Sequence, residues 1–103
     1  NSMMYVTMNL SGKVASWDLV NNKAGKSVKT GKSARSLAIS SDGTALFVVN
    51  FVSDTMSKVR TSDMKVLQNI KVCNEPIGIT YDSPTSRTWV ACYGGAVKIF
   101  DNK

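Results

Sequence analysis

The chain has 103 residues, 43% of them hydrophobic, with 13 Lys and Arg against 7 Asp and Glu, a formal charge of +6 and no histidine. That content suits a globular domain, while the lack of any run of 18 apolar residues excludes a membrane-spanning helix. Without histidine there is no common Ser-His-Asp triad, and two cysteines cannot supply a usual four-ligand zinc site, so neither a catalytic residue nor a metal site nor a cofactor is expected.

Taken in chain order, Met4 to Asn9, Lys13 to Asp18 and Lys26 to Lys29 read as strands, turning at Ser11-Gly12 and Asn21-Asn22. The start, Asn1-Ser2-Met3-Met4, has no basic stretch followed by an apolar run, so no export signal is read from it. Ser36 to Ser40 is the next strand, alternating Leu37 and Ile39 with small residues. Ser41-Asp42-Gly43-Thr44 then makes a tight turn, since Asp-Gly tolerates positive φ. Ala45 to Phe51 is apolar on both faces, as a strand sandwiched between neighbouring sheets must be. Lys58 to Thr61 follows, then Val66 to Val72, which sets Val66, Ile70 and Val72 against polar Asn69 and Lys71. Pro76 to Tyr81, Thr88 to Tyr93 and Ala96 to Asp101 complete the set, turning around Ser83-Pro84 and Gly94-Gly95.

Shifted by 42 residues, the chain matches itself: Tyr5-Val6-Thr7, Phe47-Val48-Val49 and Trp89-Val90-Ala91 superimpose, and Gly31 to Ile39 falls on Cys73 to Tyr81 without a gap. A repeat of that length built from short strands is the mark of propeller blades. The fold class is therefore all-β: a partial β-propeller of about two and a half four-stranded antiparallel blades. Residues 1–31 supply strands two to four of one blade, 32–73 a complete blade, and 74–103 strands one to three of another. A closed ring takes roughly 4 to 8 blades, so the chain is expected to be a fragment of a single, larger propeller domain. Two copies would duplicate the middle strands of each broken blade, so simple head-to-tail closure is disfavoured; the expectation is either a truncated product of a longer protein or self-association through the incomplete blades that leaves or swaps edge strands.

Gly31, Leu37-Ala38-Ile39-Ser40, Asp42-Gly43, Phe47-Val48-Val49-Asn50, Pro76, Gly78-Ile79 and Tyr5-Val6-Thr7 resemble the YVTN-type (YncE-like) propeller repeat of bacterial surface-layer and periplasmic proteins. Departures are Ala34 at its proline position, Cys73 at its glycine, Met8 and Cys92 at its asparagine, and Ser83-Pro84-Thr85 in place of Asp-Gly. Ser16-Trp17-Asp18-Leu19 and Val97-Lys98-Ile99-Phe100-Asp101 resemble the WD repeat instead, but its Gly-His element is absent. The first resemblance implies an extracytoplasmic bacterial protein, periplasmic or at the cell surface.

Strand direction puts the loops after strands two and four on one face. Lys32, Arg35, Asn50, Phe51, Asp54, Glu75 and Tyr93 are the candidate contacts there for a protein, glycan or small ligand. The loop from Asn50 to Lys58 reads as about three residues longer than its counterpart in the next repeat and as exposing Phe51 and Val52. Asp54 and Glu75 are the only carboxylates expected on this face. Asp18, Asp63 and Asp101 are read as Asx-type turn residues. Lys23, Lys26, Lys29 and Lys32 cluster at an outermost strand, where lysine guards an edge against strand pairing; without interleaved arginines and aromatics, nucleic-acid binding is not expected. Cys73 and Cys92 approach each other across one hairpin, giving either a disulfide or, as the simpler reading, two buried thiols. The function implied is non-catalytic binding or scaffolding. The alternative is part of a propeller enzyme, lactonase-like or redox, whose active residues lie in other blades.

Overall fold

The structure, a computed structural model, describes residues 2–101; Asn1, Asn102 and Lys103, the outermost residues of the flanking repeats, lie outside them. Ten strands are described: β1 (Met3–Met8), β2 (Lys13–Asp18), β3 (Lys23–Lys29), β4 (Ala34–Ile39), β5 (Ala45–Asn50), β6 (Thr55–Arg60), β7 (Lys65–Lys71), β8 (Pro76–Asp82), β9 (Arg87–Cys92) and β10 (Val97–Asp101). They form antiparallel sheets β1-β2-β3, β4-β5-β6-β7 and β8-β9-β10, three successive propeller blades. The 42-residue period holds strand by strand: β1, β5 and β9 begin at 3, 45 and 87, and β2, β6 and β10 at 13, 55 and 97.

β5 shows why the sequence stacks sheets. All six of its residues are buried. Leu46 and Val48 join Val14, Ala34, Val59 and Met64 in a core against the first blade, with Tyr5 and Val28 packed on it. Ala45, Phe47 and Val49 join Met56, Val72, Val90 and Cys92 in a second core against the third blade, where Phe47 stacks on Tyr81 with centroids 5.8 Å apart. The Ser36 hydroxyl donates to the Ile77 carbonyl at 2.9 Å, tying the inner strands β4 and β8. The rim strands β3 and β7 are mostly exposed.

Two strands begin three residues earlier than the sequence reading has them, and β4 begins two earlier, at Ala34. β6 begins at Thr55, not Lys58, because Thr55 and Ser57 turn their hydroxyls onto the buried Asn50 side chain while Met56 is buried in the core. β3 begins at Lys23, not Lys26, by pairing Ala24 with Trp17 and Lys23 with Asp18. The turns follow the same period as the strands. Positive φ recurs 42 residues apart at Gly12 and Asp54, Asn22 and Met64, and Ser33 and Glu75. Of the aspartates read as turn residues, Asp18 does accept the Val20 and Asn21 amides. Asp63, beside a backbone bond from Lys65, pairs with Arg60 at 2.7 Å, and Asp101, whose turn would fall outside the described residues, pairs with Arg87 at 2.9 Å.

In the β4–β5 turn, Gly43 takes φ 75°, and Asp42 Oδ1 accepts from the Thr44 hydroxyl, the Thr44 amide and the Ser40 hydroxyl. These bonds, that from the Thr44 hydroxyl foremost, hold the Asp42 carboxyl at about 2, below the usual 3.8. The folded value lies below the unfolded one, so its stabilisation is present above the unfolded value and is lost as pH falls through the folded one. Thermal melts followed by circular dichroism should show Tm dropping between about pH 4 and 2, and Asp42→Asn should flatten that drop, Asp18 and Asp63 supplying what remains. Urea titration should find Leu46→Ala costing about 3 kcal/mol through the cavity it leaves, and the half-exposed Met4→Ala under about 1 kcal/mol.

Candidate functional site

The loop face is built from three tight turns, 9–12, 51–54 and 93–96, and from the crossovers 30–33 and 72–75 that lead from a rim strand to the next inner strand. The turn after β5 is four residues long, like those after β1 and β9. The longer loop read from the sequence does not exist, because Thr55 to Ser57 belong to β6.

Each crossover is fastened at both ends. The Thr30 and Gly31 amides donate to the Gly12 carbonyl at 2.9 and 3.4 Å, and the Phe51 and Val52 amides donate to the Ser33 and Lys32 carbonyls at 2.9 and 3.2 Å. One period later, the Val72 amide donates to the Asp54 carbonyl at 3.1 Å and the Tyr93 amide to the Glu75 carbonyl at 2.9 Å. The turn 51–54 thus touches both crossovers.

That frame sorts the expected site residues into two groups. In one, Lys32 is exposed while its amide donates to the Ser53 hydroxyl at 2.8 Å. Arg35 is the extra residue of a β-bulge, where pairing skips from Ala34–Asn50 to Ser36–Val49. A bulge re-aims the side chain it carries, and the Arg35 guanidinium lies 5.0 Å above the ring of half-buried Phe51. The Thr7 hydroxyl donates to the Arg35 carbonyl at 3.1 Å, holding the bulge from the first blade. In the other group, Asp54 Oδ1 accepts the Glu75 amide at 2.8 Å, and both residues sit at positive φ, 60° and 54°. Glu75 and Tyr93 are exposed, Tyr93 to 72%.

Asn50 departs from expectation. It is completely buried: its Oδ1 accepts from the Thr30 hydroxyl at 2.9 Å, and its Nδ2 donates to the Thr55 and Ser57 hydroxyls at 3.1 and 3.0 Å. Ser57 also stands 3.2 Å from the Thr30 carbonyl and against the Asn69 side chain. Asn50 is a strut beneath the face, not a contact upon it. Thr30 and Thr7, which the sequence reading passed over, are the supports of this region. The signal for Thr30 was its position one residue before Gly31, whose added Cβ would meet Asn50 Cγ at 2.8 Å.

Cys73 and Cys92 form a disulfide, with Cα atoms 6.2 Å apart, in place of the two thiols. Cys73 lies on the crossover and Cys92 ends β9 opposite Pro76, so the bond is a buckle between the loop face and the third blade. Among the described residues no cluster of three or more His, Cys, Asp or Glu side chains is placed to hold a metal. A cavity of about 180 Å³ opens between the middle and third blades, lined by Phe47, Met56, Lys58, Gln68, Ile70, Phe100 and Asp101; it lies among blade side chains, not among the crossover residues.

No protein-family model matches the sequence, and no curated protein matches it. Solved structures do. Hydrazine synthase of Kuenenia stuttgartiensis superimposes with a TM-score of 0.94 at 26% identity over 98% of this chain and 30% of that one. The WD40 repeats of RRP9 give 0.88 at 14% over 98% and 32%, and the β-propeller domain of Cps50 (Swd1) from Myceliophteria thermophila gives 0.85 at 15% over 99% and 33%. The chain is thus a β-propeller in fold and spans about a third of the length of the structures it matches.

Replacing Asn50 by Leu should cost about 2–3 kcal/mol, since the Thr30, Thr55 and Ser57 hydroxyls lose a buried partner. Chemical denaturation of Asn50→Leu beside Lys32→Ala, expected to stay within about 0.5 kcal/mol of the parent, separates strut from surface.

Proposed function

We propose that this segment is a non-catalytic binding or scaffolding part of a propeller, and that its loop face contacts another protein through Lys32, Arg35, Phe51, Asp54, Glu75 and Tyr93. The observation that carries this reading is the bulge-borne Arg35 stacked on Phe51, beside a second aromatic, Tyr93, left in solvent. Arginine and aromatic side chains are the residues that anchor protein interfaces. The cavities of about 180, 270 and 310 Å³ are lined by strand residues and not by the crossovers, which favours a macromolecular partner over a small ligand on the loop face. The strand-level 42-residue period fits WD-type repeats as well as the YVTN-type resemblance. That resemblance, with the disulfide and the preference of such bonds for oxidising compartments, supports a bacterial periplasmic or surface location.

The alternative is that the segment belongs to a propeller enzyme, a reading favoured by the 26% identity to hydrazine synthase. The chain's own loop face then serves as scaffold for chemistry placed on other blades.

The binding reading is tested by immobilising the chain and the Arg35→Ala/Tyr93→Ala variant, exposing both to periplasmic extract, and measuring the Kd of any protein held by the first. A weakening of at least tenfold in the variant is expected, about the effect of losing one interface anchor. Equal retention by both, retention of a glycan instead, or turnover of lactone or redox substrates by the immobilised chain would overturn it.

A further inference from the structure

Superimposing the two crossovers by their 42-residue period pairs Thr30 with Val72, Gly31 with Cys73, Asn50 with Cys92 and Ser57 with Ile99. The disulfide therefore stands where the preceding repeat has the close approach of Gly31 to Asn50. The hydroxyls that knit that earlier junction, Thr30 and Ser57, are aliphatic in the later one. Beneath the bonds to backbone groups that both junctions make, one is held by a buried web of side-chain hydrogen bonds and the other by a single reducible bond. The residues next to that bond are those of the loop face: Glu75 follows Cys73 by two positions, Tyr93 follows Cys92 directly, and the Tyr93 amide donates to the Glu75 carbonyl.

We propose that Cys73–Cys92 is a redox-operated latch, which when reduced loosens the third blade's share of the loop face while leaving the first junction unchanged. Its consequence for binding rests on the loop-face reading above; the latch itself does not. Cys73 is the more accessible residue of the pair, half-buried where Cys92 is 6% exposed, so a dithiol reductant attacks there. The thiolate bonds to Cys73 Sγ as the S–S bond breaks, and Cys92 leaves as a thiolate that takes up a proton. The reductant's second thiol then displaces Cys73, which is protonated in turn. Two electrons pass to the protein's disulfide, two protons come from the dithiol, and the reductant departs as its own disulfide. Reoxidation runs the same exchange backwards with a disulfide oxidant.

Opening of the reduced junction should rise on the order of a hundredfold, the closure entropy released by a 19-residue separation. Hydrogen exchange followed by mass spectrometry, on the chain with and without dithiothreitol, reads this directly. Amides 72–75 and 92–96 should exchange about a hundredfold faster when reduced, with 30–33 and 50–54 unchanged. A Val72→Thr/Cys73→Gly/Cys92→Asn/Val97→Thr/Ile99→Ser variant, which places the residues of the Thr30-Gly31-Asn50-Thr55-Ser57 web one repeat later, should be protected and indifferent to the dithiol. Equal exchange in both redox states overturns the latch. So does a uniform loss of protection across the chain, which makes the bond a general staple. The exchange readout needs no partner, so its failure is distinct from failure of the binding experiment: expected exchange beside unaltered partner retention removes the loop-face reading and keeps the latch.

Discussion

The molecule is organised by how little chain is available to pass from one blade to the next. A crossover must travel from a rim strand to an inner strand, three strand spacings of about 4.8 Å each, and it has four residues, 30–33 or 72–75, in which to do so. Four extended residues reach only about 14 Å. The crossover therefore runs nearly straight over the ends of the middle strands and pins to the turns it passes, first that of its own blade and then that of the next. This fixes the left-handed corners at Ser33 and Glu75. It also forces the backbone at residue 31 against the end of β5, where only glycine fits beside Asn50.

At the second junction the same close approach is resolved by chemistry instead of by size. With Cys73 in the glycine's place and Cys92 in the asparagine's, the two side chains bond to each other. Closing a loop of that length stabilises by about 3 kcal/mol in the chain-entropy account, comparable with the buried hydrogen bonds it replaces at about 1 kcal/mol each. The two departures from the YVTN-like pattern at positions 73 and 92 are thus one coupled exchange. Neither makes sense without the other: a lone cysteine at 73 would meet an asparagine, and a lone cysteine at 92 would meet a glycine with no side chain to bond.

Much of this was legible in the sequence because the period is strict and the burial is extreme. β5 declared itself by being apolar on both faces, and Asp42-Gly43 by its turn chemistry. What stayed hidden lay where polar residues face inward or ordinary residues take unusual backbone. Residues 55–57 read as loop because the hydroxyls of Thr55 and Ser57, which are satisfied by Asn50, look like solvent contacts when the partner is unseen. Met64, buried at φ 54°, carries none of the residue preferences that mark a left-handed corner; its neighbour one repeat earlier, Asn22, does. Arg35 gave no sign of its bulge, since a single extra residue disturbs neither alternation nor composition.

These distinctions bear on where specificity resides. The exposed apolar residues of the flanking sheets, Met4 and Val6 on one side and Trp89 on the other, are one period away from Leu46, Val48 and Phe47, which make the blade-to-blade cores. Their apolar character is accounted for by stacking of sheets, a demand every blade shares, and so it says nothing of a particular partner. Arg35, Phe51 and Tyr93 are different. At +42, Arg35 becomes Ile77 and Phe51 becomes Tyr93, while Tyr93 at −42 is Phe51; the aromatic recurs and the arginine does not. A feature that the architecture repeats is part of the scaffold, and one that it does not repeat is free to serve recognition. By that criterion the arginine at position 35, not the bulge that carries it and recurs at Ile77, nor the aromatic corners beside it, gives this face its individual character.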